Sequence, residues 1–302
     1  MNDEGINILS LCDGMSCGQI ALKKADIKVN NYYASEIADY SIKITQKNFP
    51  NTIQIGDMTK LTNEQLDKFK NIDILFSGTP CKSLSITNIK EHKKGLNGSS
   101  KLFYDFVRIK NYIKPKYFLF ENVASMSDEN KNIITELLEV EPIRINSNLV
   151  SAQDRDRYYW TNIPNIKQPK DKGILLKDIM LPFDEVEDKY WYKQDFEFKG
   201  LDKKVCAILN INGHDILKRV YNPNFKCATL TTCKGGNLQK KVYQNGKCRK
   251  LTPLEYERLQ TVPEGYTEGV SMTNRYNMLG DGWTVDVIVH ILNYLKNVLH
   301  NN

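Results

Sequence analysis

Two groups able to do chemistry stand where apolar runs of this chain stop. Ile72-Asp73-Ile74-Leu75-Phe76 leads into Gly78-Thr79-Pro80-Cys81-Lys82-Ser83-Leu84-Ser85, which sets a lone cysteine directly after a proline. Tyr117-Phe118-Leu119-Phe120 leads in the same way into Glu121-Asn122-Val123. In an open α/β sheet such strand ends meet at one edge. A thiolate and an acid facing one pocket suit covalent addition to an electron-poor ring, the acid drawing off charge as the adduct forms. The plainer reading of a free cysteine is a small buried hydrophobe. Against it stand the strand-end position and the small polar neighbours Thr79, Ser83 and Ser85, which suit an exposed thiol near backbone amides, where thiolate is favoured. Glu121 can equally cap or pair, and Asn122 can be a turn residue.

The elements that must position these groups alternate. Ile6–Leu11 reads as a strand, Asp13-Gly14-Met15-Ser16-Cys17-Gly18 as a turn, and the residues from Gln19 as a helix. Val29–Ser35 is a second strand closing on Glu36, and Thr52–Gly56 a third closing on Asp57. Strand and helix in alternation imply a parallel, doubly wound α/β sheet. The turn is neither a dinucleotide-binding GxGxxG nor a P-loop, so a nucleoside cofactor without a strong phosphate grip, S-adenosylmethionine rather than NAD, fits best. Glu36 suits a ribose diol and Asp57 an adenine amino group, although each alone can be a helix cap.

Ser151-Ala152-Gln153-Asp154-Arg155-Asp156-Arg157 sets two arginines at period two, so on an extended chain both face one way with Gln153 alongside. Two converging guanidinia call for an anion, whereas a solvated ladder of mixed charge is the plainer alternative. From about residue 166 the periodicity fades, and a small separate domain is expected to about Gly246, with a turn at Lys234-Gly235-Gly236-Asn237. The expected division is 1–165 for the first part of the main domain, 166–246 for the small one, and 247–302 returning to the main domain through a C-terminal helix.

The composition is that of an ordinary globular chain: 302 residues, 41% hydrophobic, 26% charged and a net charge of +6, which permits an anionic partner without requiring one. Seven scattered cysteines without a CxxC pair, and four histidines, speak against a disulfide framework and a metal site. An acidic amino terminus and the lack of any apolar run near the roughly 18 residues of a membrane span point to a cytoplasmic protein.

Taken in order, these segments resemble the C5-cytosine DNA methyltransferases over nearly the whole chain. Ser10-Leu11-Cys12-Asp13-Gly14 with Gly18 is similar to the family's first motif, Pro80-Cys81 with Ser85 to its catalytic loop, and Glu121-Asn122-Val123 to its Glu-Asn-Val motif. Gln153, Arg155 and Arg157 reproduce Gln-x-Arg-x-Arg. Arg249-Lys250-Leu251-Thr252-Pro253 with Glu255, Arg258, Gln260 and Pro263 resembles the ninth motif, and Gly280 to Val285 the tenth. Motif detail is closest to the mammalian de novo subgroup, catalytic domain only, in a chain of prokaryotic or viral composition. Cys12, Lys82 and Asp281 depart from the family's usual residues.

The resemblance implies a Rossmann-like S-adenosylmethionine-dependent methyltransferase fold with a small target-recognition domain. It makes Cys81 the nucleophile for cytosine C6, with Glu121, Asn122, Arg155 and Arg157 completing the catalytic set. Asp13, Gly14, Met15, Glu36, Asp57, Met58, Pro80, Leu102 and Trp283 would hold the cofactor. Ser85, Gln153, Thr231, Thr232, Lys234 and Arg249 would meet DNA. The base must leave the duplex to be reached, and the basic loop from Ser83 to Ser100 is long enough to close as a lid. The implied partners are double-stranded DNA and a companion restriction endonuclease, with the protein a monomer or dimer. Competing readings are a catalytically silent homologue, an RNA cytosine methyltransferase and a NAD-dependent oxidoreductase.

Overall fold

Short β-rich apolar runs separated by amphipathic stretches produce a sheet with helices between its strands. The computed structural model describes residues 5–80, 84, 95–98, 101–233 and 236–301. Cys81, Lys82, Ser85, most of the basic loop and Lys234 lie outside them. The chain divides into two compact units, residues 1–145, 156–168 and 288–302 forming the first and residues 146–155 and 169–287 the second.

The first unit is built from β1 (Ile6–Leu11), α1 (Cys17–Lys24), β2 (Val29–Ser35), α2 (Asp39–Asn48), β3 (Ile53–Gln54), α3 (Asn63–Leu66), β4 (Ile74–Ser77), α4 (Leu102–Ile113), β5 (Tyr117–Val123), α5 (Asp128–Leu138), β6 (Ile143–Asn146) and β7 (Asp156–Thr161). The strands form one sheet in the order β3-β2-β1-β4-β5-β7-β6. β1, β2, β3, β4 and β5 run parallel, and β7 joins β5 antiparallel.

In-register partners share a face of the sheet, so Leu9, Leu75 and Phe118 lie side by side, followed by Leu11, Ser77 and Phe120. That face packs under α4, where the Phe106 and Phe120 ring centroids are 4.9 Å apart. Each such fully buried aromatic contributes roughly 1.5–3 kcal/mol. The same register brings the carboxyl ends of β1, β2 and β4 to one edge, Leu11 opposite Ser35 and Ser77. Asp13, Glu36 and Thr79-Pro80 therefore leave the sheet together.

The second unit carries β8 (Phe196–Phe198), β9 (Val205–Leu209), α6 (Asp215–Lys218), β10 (Arg219–Tyr221), β11 (Lys241–Gln244) and β12 (Lys247–Lys250), then α7 (Pro253–Leu259) and α8 (Met272–Asp281). Its sheet has the order β12-β11-β10-β9-β8. Asn245 and Gly246, at φ 48° and 79°, supply the two left-handed residues of a tight hairpin between β11 and β12. This hairpin corrects the expected boundary at Gly246: residues 247–287 belong to the second unit. The last helix, α9 (Val285–Asn301), enters the first unit at Ile288, where Lys296 donates to the Ala25 carbonyl at 3.1 Å.

Candidate active site

The turn after β1 is shaped by three residues in the left-handed region, Cys12, Gly14 and Ser16. Asp13 holds it from within, its carboxyl accepting the Tyr32 hydroxyl at 2.7 Å and the Ser16 hydroxyl. The Gly14 N–H donates to Glu36 Oε2 at 2.7 Å, while Glu36 Oε1 accepts the N–H groups of Ile37 and Ala38 at 2.7 and 2.8 Å. The Glu36 carboxylate is thus fixed before any ligand arrives. A Cβ at Gly14 or Gly56 would meet nothing within 4 Å, so backbone lies open on both sides of the acid.

Asp57 caps the short 3₁₀ turn after β3, its Oδ1 accepting the Thr59 N–H at 2.9 Å and hydroxyl at 2.8 Å, bonds that hold its pKa below the usual carboxylate value. Arg108 of α4 fixes that turn by donating to the Met58 and Leu61 carbonyls at 3.2 and 3.1 Å. Met15 and Met58 are buried, Leu102 half-buried and Pro80 exposed. Ile37 is 73% exposed beside Glu36, an unexpected place for a large apolar side chain that pattern reading passed over. Its signal was an apolar side chain directly after a strand-ending acid.

Cys12 places its Sγ 3.5 Å from Met58 Sδ, and burial, with Glu36, Asp57 and Asp13 nearby, pushes its thiol up to about 12. It is an inert thiol. Burial likewise pushes Asp13 up to about 6 from 3.8, against the hydrogen bonds from Ser10, Ser16 and Tyr32 that favour its charged form. A carboxyl raised in the fold contributes stability that is fully present below its unfolded pKa and is lost as pH rises through the folded value. Between pH 4 and 7 the melting temperature of the native chain is therefore expected to fall relative to Asp13→Asn, as read by calorimetry across that range. Parallel curves would contradict this assignment.

β5 and β7 set the second part of the site. Glu121 is 8% exposed, and its Oε1 lies 2.7 Å from Arg157 Nε. The antiparallel register puts Arg157 opposite Val123 and Tyr159 opposite Glu121, so the ion pair runs diagonally across the two strands. Arg157 Nη1 also donates to the Asp156 carbonyl at 2.9 Å. Asn122 turns inward, its Nδ2 donating to the Thr79 carbonyl at 3.4 Å and its Oδ1 accepting the Val123 N–H at 2.8 Å. It thereby ties the Glu121 strand to the peptide just before Pro80. The Ser77 and Thr79 hydroxyls are buried without a hydrogen-bond partner among the described residues. A fixed carboxyl, a paired guanidinium and an anchored loop root can orient a planar polar ring and exchange a proton with it.

Three residues expected to face substrate are committed elsewhere. Arg155 is buried and donates to the carbonyls of Leu230, Gly280, Asp281 and Gly282 at 3.0 to 3.4 Å, fastening two chain segments instead of presenting a cation to an anion. Gln153 is fully buried, donating to the Leu259 carbonyl and Gln260 Oε1 while its own Oε1 accepts the Leu230 N–H at 2.8 Å. Arg249, also fully buried, makes a two-pronged ion pair with Glu255 at 2.8 and 2.6 Å. The alternating acids are likewise bound, Asp156 to Arg144 and Asp154 to Lys204. Thr231 is exposed and Thr232 half-buried. Trp283, half-buried, belongs to the second unit, and its cofactor role rests on the resemblance alone.

The doubly wound sheet with an antiparallel β7, an open glycine turn and an acid after each of its first strands define a methyltransferase that works with S-adenosylmethionine. More narrowly, the model of the C-5 cytosine-specific DNA methylases matches residues 6–297, and the chain belongs to that family. Type II methyltransferase M.HhaI of Haemophilus parahaemolyticus is 26% identical over 316 residues, covering 96% of this chain and 93% of that protein. Type II methyltransferase M.Bsp6I of Bacillus sp. (strain RFL6) is 28% identical over 284 residues, covering 84% and 87%. Among solved structures, Entamoeba histolytica methyltransferase EhMeth superposes with a TM-score of 0.76 at 17% identity, covering 98% of this chain and 99% of that one. S. pombe Dnmt2 does so with 0.73 at 15%, covering 97% and 99%. These two show the likeness of fold.

Proposed function

We propose that this chain methylates C5 of cytosine in duplex DNA through a covalent adduct at Cys81, and that Glu121, held by Arg157, is the acid of that reaction. The observation that carries the reading is the Glu121–Arg157 pair at the end of β5, with Asn122 of the same strand bonded to the Thr79 carbonyl two residues before Cys81. Cytosine C5 is a poor nucleophile until C6 is attacked. The Cys81 thiolate forms an S–C6 bond, and Glu121 gives a proton or hydrogen bond to N3, so the ring's electron pair reaches C5. When bound, the cofactor supplies an electrophilic methyl group on its sulfonium. After transfer, the C5 proton passes to a solvent base, and its electron pair re-forms the C5–C6 double bond as the S–C6 bond breaks and Cys81 leaves as thiolate. Any proton on N3 returns to Glu121.

Glu36, the open backbone at Gly14, Asp57 and the apolar walls Met15, Met58 and Leu102 suit the nucleoside part of the cofactor. Glu36 Oε2 reaches from strand β2 to the β1 turn, which is where a ribose diol would find its acceptor. No helix of the described residues is long and apolar enough to cross a membrane, in keeping with action on DNA in the cytoplasm. The type II relatives favour a role as the modification partner of a restriction endonuclease.

The test is incubation of the purified chain with S-adenosylmethionine and duplex DNA, followed by sequencing that maps 5-methylcytosine. Methyl groups at C5 within one short sequence are expected. The same duplex carrying 5-fluorocytosine should leave protein bound covalently, because fluorine cannot depart as a proton does. Transfer confined to RNA, or methylation without a trapped adduct, would overturn the reading.

A further inference from the structure

Asp57, the acid after β3, has one carboxylate oxygen in use and one to spare. Its Oδ1 accepts the Thr59 N–H and hydroxyl. Its Oδ2 makes no hydrogen bond among the described residues, the Lys60 ammonium standing 3.9 Å away. The side chain is 29% exposed, so the carboxylate is within reach of a ligand.

The 3₁₀ turn of three residues that Asp57 caps holds such an acceptor poorly by itself. The Lys60 N–H reaches the Asp57 carbonyl at 3.0 Å, but the Leu61 N–H is a long 3.4 Å from the Met58 carbonyl, in keeping with the poor bond geometry of such turns. Anchors from outside supply the rest. Ahead of Asp57, the Gly56 carbonyl accepts the Ser35 hydroxyl at 2.6 Å. Behind it, the Met58 and Leu61 carbonyls accept Arg108 Nη2 and Nη1 at 3.2 and 3.1 Å.

Arg108 reaches the turn from a fixed post. Phe103, Phe106, Ile109 and Ile113 bury one stripe of α4, and half-buried Arg108 precedes Ile109 in it. Its Nη2 also lies 3.4 Å from Asp105 Oδ1 one turn back, a partly exposed pair that adds little to stability. The bonds to the two carbonyls are charge-assisted. A planar fork serves both at once, whereas a lysine ammonium is a single point donor.

We infer that Arg108 is a positioning residue for cofactor selectivity: by clamping both ends of the turn it holds Asp57 Oδ2 where it accepts an adenine amino group and turns away a purine that carries oxygen there. This rests on the proposed placing of the adenosine at Asp57. A preset acceptor loses less freedom on binding, so Arg108 governs the affinity and base selectivity of the cofactor site and not methyl transfer itself.

The experiment measures, by calorimetry, the binding of S-adenosylhomocysteine and of S-inosylhomocysteine, in which oxygen replaces the amino group. The proteins are the native chain, Arg108→Met, Arg108→Lys and Asp57→Asn. The native chain should prefer the adenosyl compound by about tenfold or more, the loss expected for a hydrogen bond to a charged group. Arg108→Met should weaken adenosyl binding by about five- to tenfold and bring the ratio near unity, with faster amide exchange over 57–61. With saturating S-adenosylmethionine and DNA its kcat should stay within about twofold of native. Arg108→Lys, which keeps the charge and a donor for one carbonyl, should recover part of the ratio. Asp57→Asn, which offers both an oxygen and an N–H, should bind the two compounds alike. If Asp57→Asn levels them and Arg108→Met does not, the positioning role is overturned while the cofactor site stands. If the native chain binds neither compound, or does not distinguish them, Asp57 does not meet the amino group and the inference falls with that assignment. Equal weakening of both compounds in Arg108→Met, with a lowered melting temperature, would mark a merely structural arginine and would also overturn it.

Discussion

Cys81→Ala is expected to abolish methyl transfer and the trapped adduct together, whereas Glu121→Gln is expected to slow both by about 10²–10⁴-fold without removing either. The two variants separate the roles. Without a thiolate no bond to C6 can form, and C5 of a neutral cytosine does not attack a sulfonium at a useful rate. Without the Glu121 carboxyl the thiolate still adds, but charge building on N3 has only an amide to meet it. Glutamine keeps an oxygen for Arg157, whose Nε lies 2.7 Å from Oε1 in the native chain, so strand pairing between β5 and β7 should survive. The reading is a single-turnover rate with saturating cofactor, accompanied by a melting curve. Equal and complete loss in both variants would make Glu121 part of the nucleophile's own assembly. An unchanged rate in Glu121→Gln would remove it from the chemistry.

The strand ends were legible because the signals are local. Four apolar residues in or near one run, followed by an acid or a few residues later by Pro-Cys, can be read in a window of ten, and parallel register then delivers the groups to one edge without further information. The arginine pair was not legible in the same way. On a strand a period-two pattern states which side chains share a face and nothing about what that face meets. Arg155 finds carbonyls 75 to 127 residues away, and Gln153 finds Gln260 at a separation of 107. Such partners are set by tertiary packing. The boundary at about Gly246 differs from the observed one for a different reason: Asn245-Gly246, flanked by Lys241–Gln244 and Lys247–Lys250, is a hairpin signal that joins two strands of one sheet.

Arg249 was the residue most misjudged from pattern, and its environment gives the largest expected effect on stability. Thr252-Pro253-x-Glu255 forms a capping box: the Thr252 hydroxyl accepts the Glu255 N–H at 3.2 Å, and Glu255 Oε2 accepts the Thr252 N–H at 2.7 Å. The Glu255 carboxylate also accepts both prongs of Arg249 and the Leu181 N–H at 2.9 Å. With both partners fully buried, solvent cannot replace a lost member. Arg249→Ala is expected to destabilise the chain by about 3–5 kcal/mol, because it strands a carboxylate in the interior. Removing both charges in Arg249→Met with Glu255→Leu should cost far less than the sum of the two single changes. The remainder should be near the ~1 kcal/mol of a lost helix cap. A denaturant-unfolding double-mutant cycle reads the coupling directly. Additive losses would mean that the pair is not coupled, and a DNA-affinity loss in Arg249→Ala with unchanged stability would return this arginine to the nucleic-acid surface.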